Sequence, residues 1–255
     1  MTIRFLTALI IALTLSTPSI AGAQSDPITL IAPGGIREAF EQLITGFEQK
    51  TGRTVKATYT SGLGTKQQVA QGGAFDVSAL QPPYPEVLAS GNVVANTATT
   101  LASVVVGVAV KKGAPKPDIS TPDAVKRMLL AAPSISYPNP AGGAAAGVTF
   151  EAALKQLGIW DQLQPKLQRA NGGAEAMAML ARGDVAVGVT FVSEMEDKGI
   201  DVVGILPAAV APPTTLVGFV SAHAKDPAGA KALLDYLASP SAASVYKADG
   251  MQPGH

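Results

Sequence analysis

Ile28-Thr29-Leu30-Ile31-Ala32-Pro33-Gly34-Gly35-Ile36-Arg37 holds the decisive pattern of this chain: a β-branched apolar run, a proline and two glycines, then the opening of a helix. Phe40, Leu43, Ile44 and Phe47 recur on one helical face, and Thr51-Gly52 stops it. The same alternation continues outward. Further strands are predicted at 54–59, 76–80, 101–110, 134–137, 185–189, 202–206 and 216–222. Helices are predicted at 66–71, 121–130, 144–157, 173–181, 227–237 and 242–247. The run 101–110 reads as one strand buried on both faces, and Pro82-Pro83-Tyr84-Pro85 as a rigid surface turn. Strands alternating with helices imply an α/β fold with largely parallel sheets covered on both faces. Crossings near Val106 and Pro207 divide the chain into a split lobe, 24–106 with 207–255, and an inserted lobe, 107–206.

The N-terminus carries a different signal. Arg4, the apolar run Phe5 to Leu15, and Ala21-Gly22-Ala23 before Gln24 follow the order of a secretory signal peptide, placed at 1–23. The apolar run is too short for a membrane-spanning helix of roughly 20 residues. Export to the periplasm is the expectation. The chain has no cysteine, which excludes a disulfide framework, a thiolate metal site and a lipid anchor at the cleavage point. Lys and Arg total 19, as do Asp and Glu; loss of Arg4 leaves 18 − 19 = −1. No basic run or aromatic-and-Arg stripe suggests nucleic acid.

Four segments, the first among them, share one construction: strand end, small or glycine residues, helix start. They are Pro33-Gly34-Gly35-Ile36-Arg37, Thr60-Ser61-Gly62-Leu63-Gly64-Thr65, Asn139-Pro140-Ala141-Gly142-Gly143 and Gly188-Val189-Thr190-Phe191-Val192-Ser193. Glycine admits close backbone approach, and a helix start offers free N–H donors and a positive dipole end. Ligands of open α/β sheets bind beyond the carboxyl ends of the strands, where these turns fall. Together they describe a cleft that holds a small anion with neutral donors. The expected contacts are Gly34, Gly35, Ser61, Gly62, Asn139, Ala141, Gly142, Thr190 and Phe191, with Arg37 as counter-charge.

These residues resemble the periplasmic solute-binding proteins of ABC importers, and among them the molybdate-binding branch. Ser61-Gly62 with Gln68-Val69 and 72–76 is similar to that family's serine loop and the stretch after it. Pro140-Ala141-Gly142 resembles its inner-lobe turn, and 183–194 its "Gly-Glu-Ala-Asp-Ala-Gly-Ile-Val-Tyr" segment. The resemblance implies a two-lobed periplasmic-binding-protein type II fold with two crossing strands, closing on an anion. It implies no cofactor, membrane subunits of an importer as partners, and a monomer. Two departures stand out: Gly34-Gly35 replaces a serine loop, and Phe191 a tyrosine. Loss of two hydroxyl donors alters ligand choice, because an unpaired buried polar group costs about 1–3 kcal/mol.

A larger organic anion is the alternative ligand class. Gly113 to Ser120, Gly34-Gly35-Ile36 and Gly199 to Pro207 also resemble aconitate isomerases, which shift a proton between trans- and cis-aconitate without a cofactor. That chemistry needs an acid–base group and cations for the carboxylates. Glu38, Lys66, Tyr137 and Glu194 are the candidates under that reading; otherwise Glu38 and Glu194 are exposed helix charge. His223 and His255 make neither a triad nor a metal site. Gly62-Leu63-Gly64-Thr65-Lys66 lacks the spacing of a phosphate-binding loop.

Overall fold

The computed structural model describes residues 26–254. The segment expected at 1–23 to direct export, and His255, lie outside the described residues. In chain order the first elements are β1 (Ile28–Pro33), α1 (Arg37–Thr51), β2 (Val55–Thr60), α2 (Gly62–Ala70), β3 (Val77–Leu80), α3 (Pro85–Ser90) and β4 (Thr99–Val104). Then follow β5 (Val106–Lys111), α4 (Pro122–Ala131), β6 (Ile135–Pro138), α5 (Ala145–Gln156), α6 (Trp160–Leu163), β7 (Leu167–Ala170), α7 (Gly173–Arg182), β8 (Val187–Phe191) and β9 (Ile200–Ile205). β10 (Thr214–Val220), α8 (Pro227–Leu237), α9 (Ala243–Ala248) and β11 (Gln252–Pro253) complete the chain.

Two sheets organise these elements into two lobes. The first has the order β11-β4-β10-β3-β1-β2, the second β7-β6-β8-β5-β9. The chain passes from first sheet to second at Val105, between β4 and β5, and returns after β9. This is a periplasmic-binding-protein type II architecture.

Two expectations need correction. The run 101–110 is not one strand but parts of two, β4 and β5, in different sheets. β4 lies between β11 and β10 and β5 between β8 and β9, so both are apolar and the pattern shows no break. The sheets are mixed, not largely parallel. β1 is parallel to β2 and β3, and β6 to β7 and β8, but β10 runs antiparallel to β3 and β4, and β5 to β8 and β9. The strands that change sheets carry no crossover helix, so nothing keeps them parallel. The proline-rich stretch at 82–85 is an exposed turn, as expected, and leads directly into α3, with Pro85 at its first position, where a missing N–H costs nothing.

Packing sets the helix ends toward one region. The α1 face of Phe40, Leu43, Ile44 and Phe47 is buried. Phe47 meets Tyr236 of α8 edge-on at 5.6 Å between ring centroids, and Phe40 meets Tyr246 of α9 at 6.5 Å. In the second lobe, Gly147 seats the first turns of α5 against the end of β6. A Cβ there would collide with the Pro138 carbonyl oxygen and come within 3.2 Å of Pro140 Cδ. No helix among the described residues is long and apolar enough to cross a membrane.

Gly147→Ala is therefore expected to destabilise the protein by about 1–3 kcal/mol, the usual cost of overpacking. Val148→Ala, on the same helix at a residue 52% exposed, serves as control. Urea midpoints check this; equal midpoints for the two variants contradict the packing account.

Candidate functional site

A cavity of about 530 Å³ lies between the lobes. From the first lobe it is lined by Pro33, Gly34, Gly35, Arg37 and Glu38 after β1, Thr60 to Gly62 after β2, and Gln81 after β3. From the second it is lined by Pro138 and Asn139 after β6 with Ala144 to Ala146 opening α5, by Ala170 to Ala174 around the start of α7, and by Phe191, Ser193, Glu194 and Glu196 after β8. Every contribution comes from the carboxyl end of a strand, and four helices, α1, α2, α5 and α7, start at the wall.

The backbone of the α5 and α7 starts is open; at α1 the Arg37 N–H already donates to the Gly34 carbonyl and the Ala39 N–H to Asp249, so the uncapped start there is the 3-10 turn Gly34–Ile36 before it. α1, α5 and α7 have Ile36, Ala144 and Gly172 at the cap position, and none supplies a side-chain acceptor. Only α2 is capped, by Ser61 Oγ accepting from Gly64 N at 3.0 Å. Accepting that bond leaves the Ser61 O–H free to donate. First-turn N–H groups without partners in their own helix, with the helix dipole behind them, suit an anion.

Small residues let the lobes meet. Ser193 Oγ of the second lobe donates to the Gly35 carbonyl of the first at 2.8 Å. Gly143, at φ +79°, lies against Leu63 of α2 so closely that any Cβ would overlap it. Glu194 sits between Gly35 and Gly173: a Cβ at Gly35 would fall 2.7 Å from Oε1, and one at Gly173 would overlap Oε2. The Thr190 hydroxyl donates to Glu194 Oε2. Burial raises the Glu194 carboxyl above the ordinary range, while the Thr190 hydroxyl and the Phe191 backbone pull the other way.

Other charges surround the mouth. The Arg37 guanidinium stacks 4.8 Å over the Tyr59 ring and has no ion-pair partner among the described residues. Glu38 and Asp249 of the first lobe meet Glu196 of the second with carboxylate oxygens within 4.8 Å of one another. Burial, then hydrogen bonding and charge from Glu38, push Glu196 up to about 7. Burial and the Glu38 charge push Asp249 up to about 6.

Of the residues singled out from sequence, Gly34, Gly35, Arg37, Glu38, Ser61, Gly62, Asn139, Phe191 and Glu194 come together on the cavity wall. Thr190 lies beneath it, fully buried, holding Glu194. Ala141 and Gly142 occupy a 3-10 turn, Pro140–Gly142, in which Asn139 Oδ1 already accepts from Ala141 N at 3.1 Å. Two side chains point elsewhere. Lys66 Nζ donates to the Pro83 carbonyl at 3.0 Å, and partial burial lowers its ammonium. Tyr137 is fully buried, with its hydroxyl donating to Glu151 at 2.7 Å and its ring against Phe150. Sequence reasoning missed Gln81, Glu196, the α5 start and the loop Asn171-Gly172-Gly173-Ala174. That loop repeats the glycine-then-helix construction, with Gly172 at φ +104°. The strand before it, Leu167-Gln168-Arg169-Ala170, is a half-exposed edge with no apolar alternation, and this hid the pattern.

The carboxyls at the mouth give a pH signature. Both Glu196 and Asp249 bind protons more tightly folded than unfolded, so their contribution is complete below the unfolded values and lost as pH rises through about 6 and about 7. The Tm contribution of these groups in the ligand-free protein should fall between about pH 4.5 and about pH 7, and Glu196→Gln should flatten that fall. A Tm that rises across this window contradicts the cluster.

Comparison with known proteins agrees with this architecture. Residues 28–252 match the profile of the family described as bacterial extracellular solute-binding protein. An aconitate isomerase of a Pseudomonas species is 30% identical over 245 residues, covering 93% of this chain and 92% of that one. The molybdate-binding protein ModA of Escherichia coli K12 is 27% identical over 244 residues, 94% of each chain. Among solved structures, the periplasmic molybdate-binding protein of Azotobacter vinelandii superposes with a TM-score of 0.72 at 21% identity, covering 88% of this chain and 98% of that one. The sulfate-binding protein SubI of Mycobacterium tuberculosis superposes at 0.69 with 19% identity, covering 90% and 87%. With a two-lobed fold, a cavity between the lobes and a family match along nearly its whole described length, the chain belongs to the bacterial extracellular solute-binding proteins.

Proposed function

We propose that this protein captures a small organic anion with two or more carboxylates in the periplasm and presents it, as a monomer, to the membrane subunits of an ABC importer. The observation that carries the reading is the cavity wall: the uncapped starts of the 3-10 turn Gly34–Ile36, of α5 and of α7, together with Ser61 and Arg37, line one space. Arg37 supplies a planar fork suited to a carboxylate. A cavity of about 530 Å³ falls within the range of roughly 300–1,000 Å³ that encloses small organic ligands. A tetrahedral oxyanion would leave much of it unfilled, and the hydroxyl donors expected of a molybdate site are replaced by Gly34-Gly35 and Phe191. The split lobe, 24–106 with 207–255, and the inserted lobe, 107–206, would close on the ligand about the two chain passages.

A second reading is a cofactor-free isomerase of an unsaturated tricarboxylate. Two observations favour it: the aconitate isomerase relative, and Glu194, an acid–base group on the wall of a carboxylate-sized cavity. Glu38 is the second lining candidate from the same set.

Thermal shift against molybdate, tungstate, sulfate, citrate and both aconitates is expected to single out a polycarboxylate, since a ligand that binds only the folded state raises Tm. Arg37→Ala should weaken that ligand about tenfold or more, the scale of a hydrogen bond to a charged group. Stabilisation by molybdate alone, or an unchanged affinity in Arg37→Ala, contradicts the reading. Loss of trans-aconitate absorbance with catalytic amounts of protein would select the isomerase.

A further inference from the structure

The charges on the cavity wall do not match the ligand proposed for it. Among its lining residues Arg37 is the cation, against the carboxyls of Glu38, Glu194 and Glu196. A polycarboxylate entering that space adds negative charge where negative charge already dominates. Carboxylates sharing a poorly solvated site cannot all ionise, and the balance is restored by protons. The inference rests on the polycarboxylate reading above and assigns the proton to one residue.

We infer that Glu194 takes up a proton when the ligand binds and donates it as a hydrogen bond to a ligand carboxylate, so that the protein captures anion and proton together. Placement selects Glu194 over its neighbours. It touches both lobes, occupying the gap left by the missing Cβ atoms of Gly35 and Gly173, so closure encloses it. Its Oε2 is held by the Thr190 hydroxyl, which fixes the carboxyl, and its Oε1 lies on the Gly35 side. Glu38 and Glu196 lie at the mouth and keep more contact with water than Glu194 does, although Glu196 is partly desolvated. The groups that face Glu194 are few. α1 brings Arg37 and Glu38, the segment after β8 brings Glu196, and α7 brings the uncharged Gly173 and Ala174. Asp249 stands behind Glu38 and Glu196. Burial already makes the neutral form less costly there than in water, while the Thr190 hydroxyl still supports the ionised form before a ligand arrives.

The proton moves from solvent to a Glu194 carboxylate oxygen, and no covalent bond of the ligand changes. The consequence is linkage: affinity falls as pH rises, approaching about tenfold per pH unit where a full proton is taken up. Calorimetric titration of the mature chain with citrate and with trans-aconitate, in two buffers of different ionisation enthalpy near neutral pH, reads that uptake directly. Wild type should take up on the order of one proton per ligand. Glu194→Gln keeps an N–H donor in place, so it should still bind while the uptake collapses and the pH dependence flattens. Glu196→Gln should retain most of the uptake.

Binding without uptake in wild type, or uptake unchanged in Glu194→Gln but lost in Glu196→Gln, overturns the inference and leaves the ligand reading standing. No binding of either carboxylate overturns the ligand reading itself. Infrared difference spectra of carbon-13-labelled wild-type protein give a check that needs no variant. Ligand addition should raise a protonated-carboxyl band from the protein, and its absence overturns the assignment.

Discussion

Helix N–H groups that no side chain accepts from govern this structure. The 3-10 turn Gly34–Ile36, α5 and α7 begin after Pro33, Ala144 and Gly172, residues without a side-chain acceptor, and they begin at the same cavity. Donors left open in this way must find water or a ligand, because an unsatisfied backbone group away from solvent is costly. The rest of the fold works to hold them there. Parallel strands β1, β2, β6 and β7 each deliver a helix to the wall, and glycines replace the side chains that would otherwise block it. Under the proposed function an anion would be held largely by these neutral donors, with Arg37 adding full charge at one side.

The second theme is contact across the cleft. Ser193 bonded to the Gly35 carbonyl, Gly143 fitted against Leu63, and Glu194 enclosed between Gly35 and Gly173 join lobes that share only two chain passages. Each contact depends on a residue with little or no side chain. The acidic cluster of Glu38, Glu196 and Asp249 works against them when ionised, since it places like charges from both lobes side by side. The contacts between the lobes and the carboxyls whose protonation would ease them thus sit on the same few residues.

Much of this was legible in the residues. The α1 stripe of Phe40, Leu43, Ile44 and Phe47 announced a helix, and the repeated strand–glycine–helix construction announced the wall. What escaped did so for physical reasons. β4 and β5 are both interior strands, so an apolar run joined them without a visible break. β7 is an edge strand with charged and polar faces, and without it the Gly172-Gly173 loop had no strand to follow. Lys66 and Tyr137 sit near the wall in sequence, but local partners, the Pro83 carbonyl and Glu151, turn them away. Direction of a side chain is set by tertiary neighbours, which a one-dimensional pattern does not contain.

Backbone amide shifts, followed by NMR while citrate or trans-aconitate is added, address the central claim most directly. The expected result is perturbation concentrated at the first turns of α1, α2, α5 and α7, from both lobes at once and with one shared binding curve. Shifts confined to a single lobe, or gathered on a face away from Gly35, Gly62, Ala145 and Gly173, would contradict a cleft built from converging helix starts.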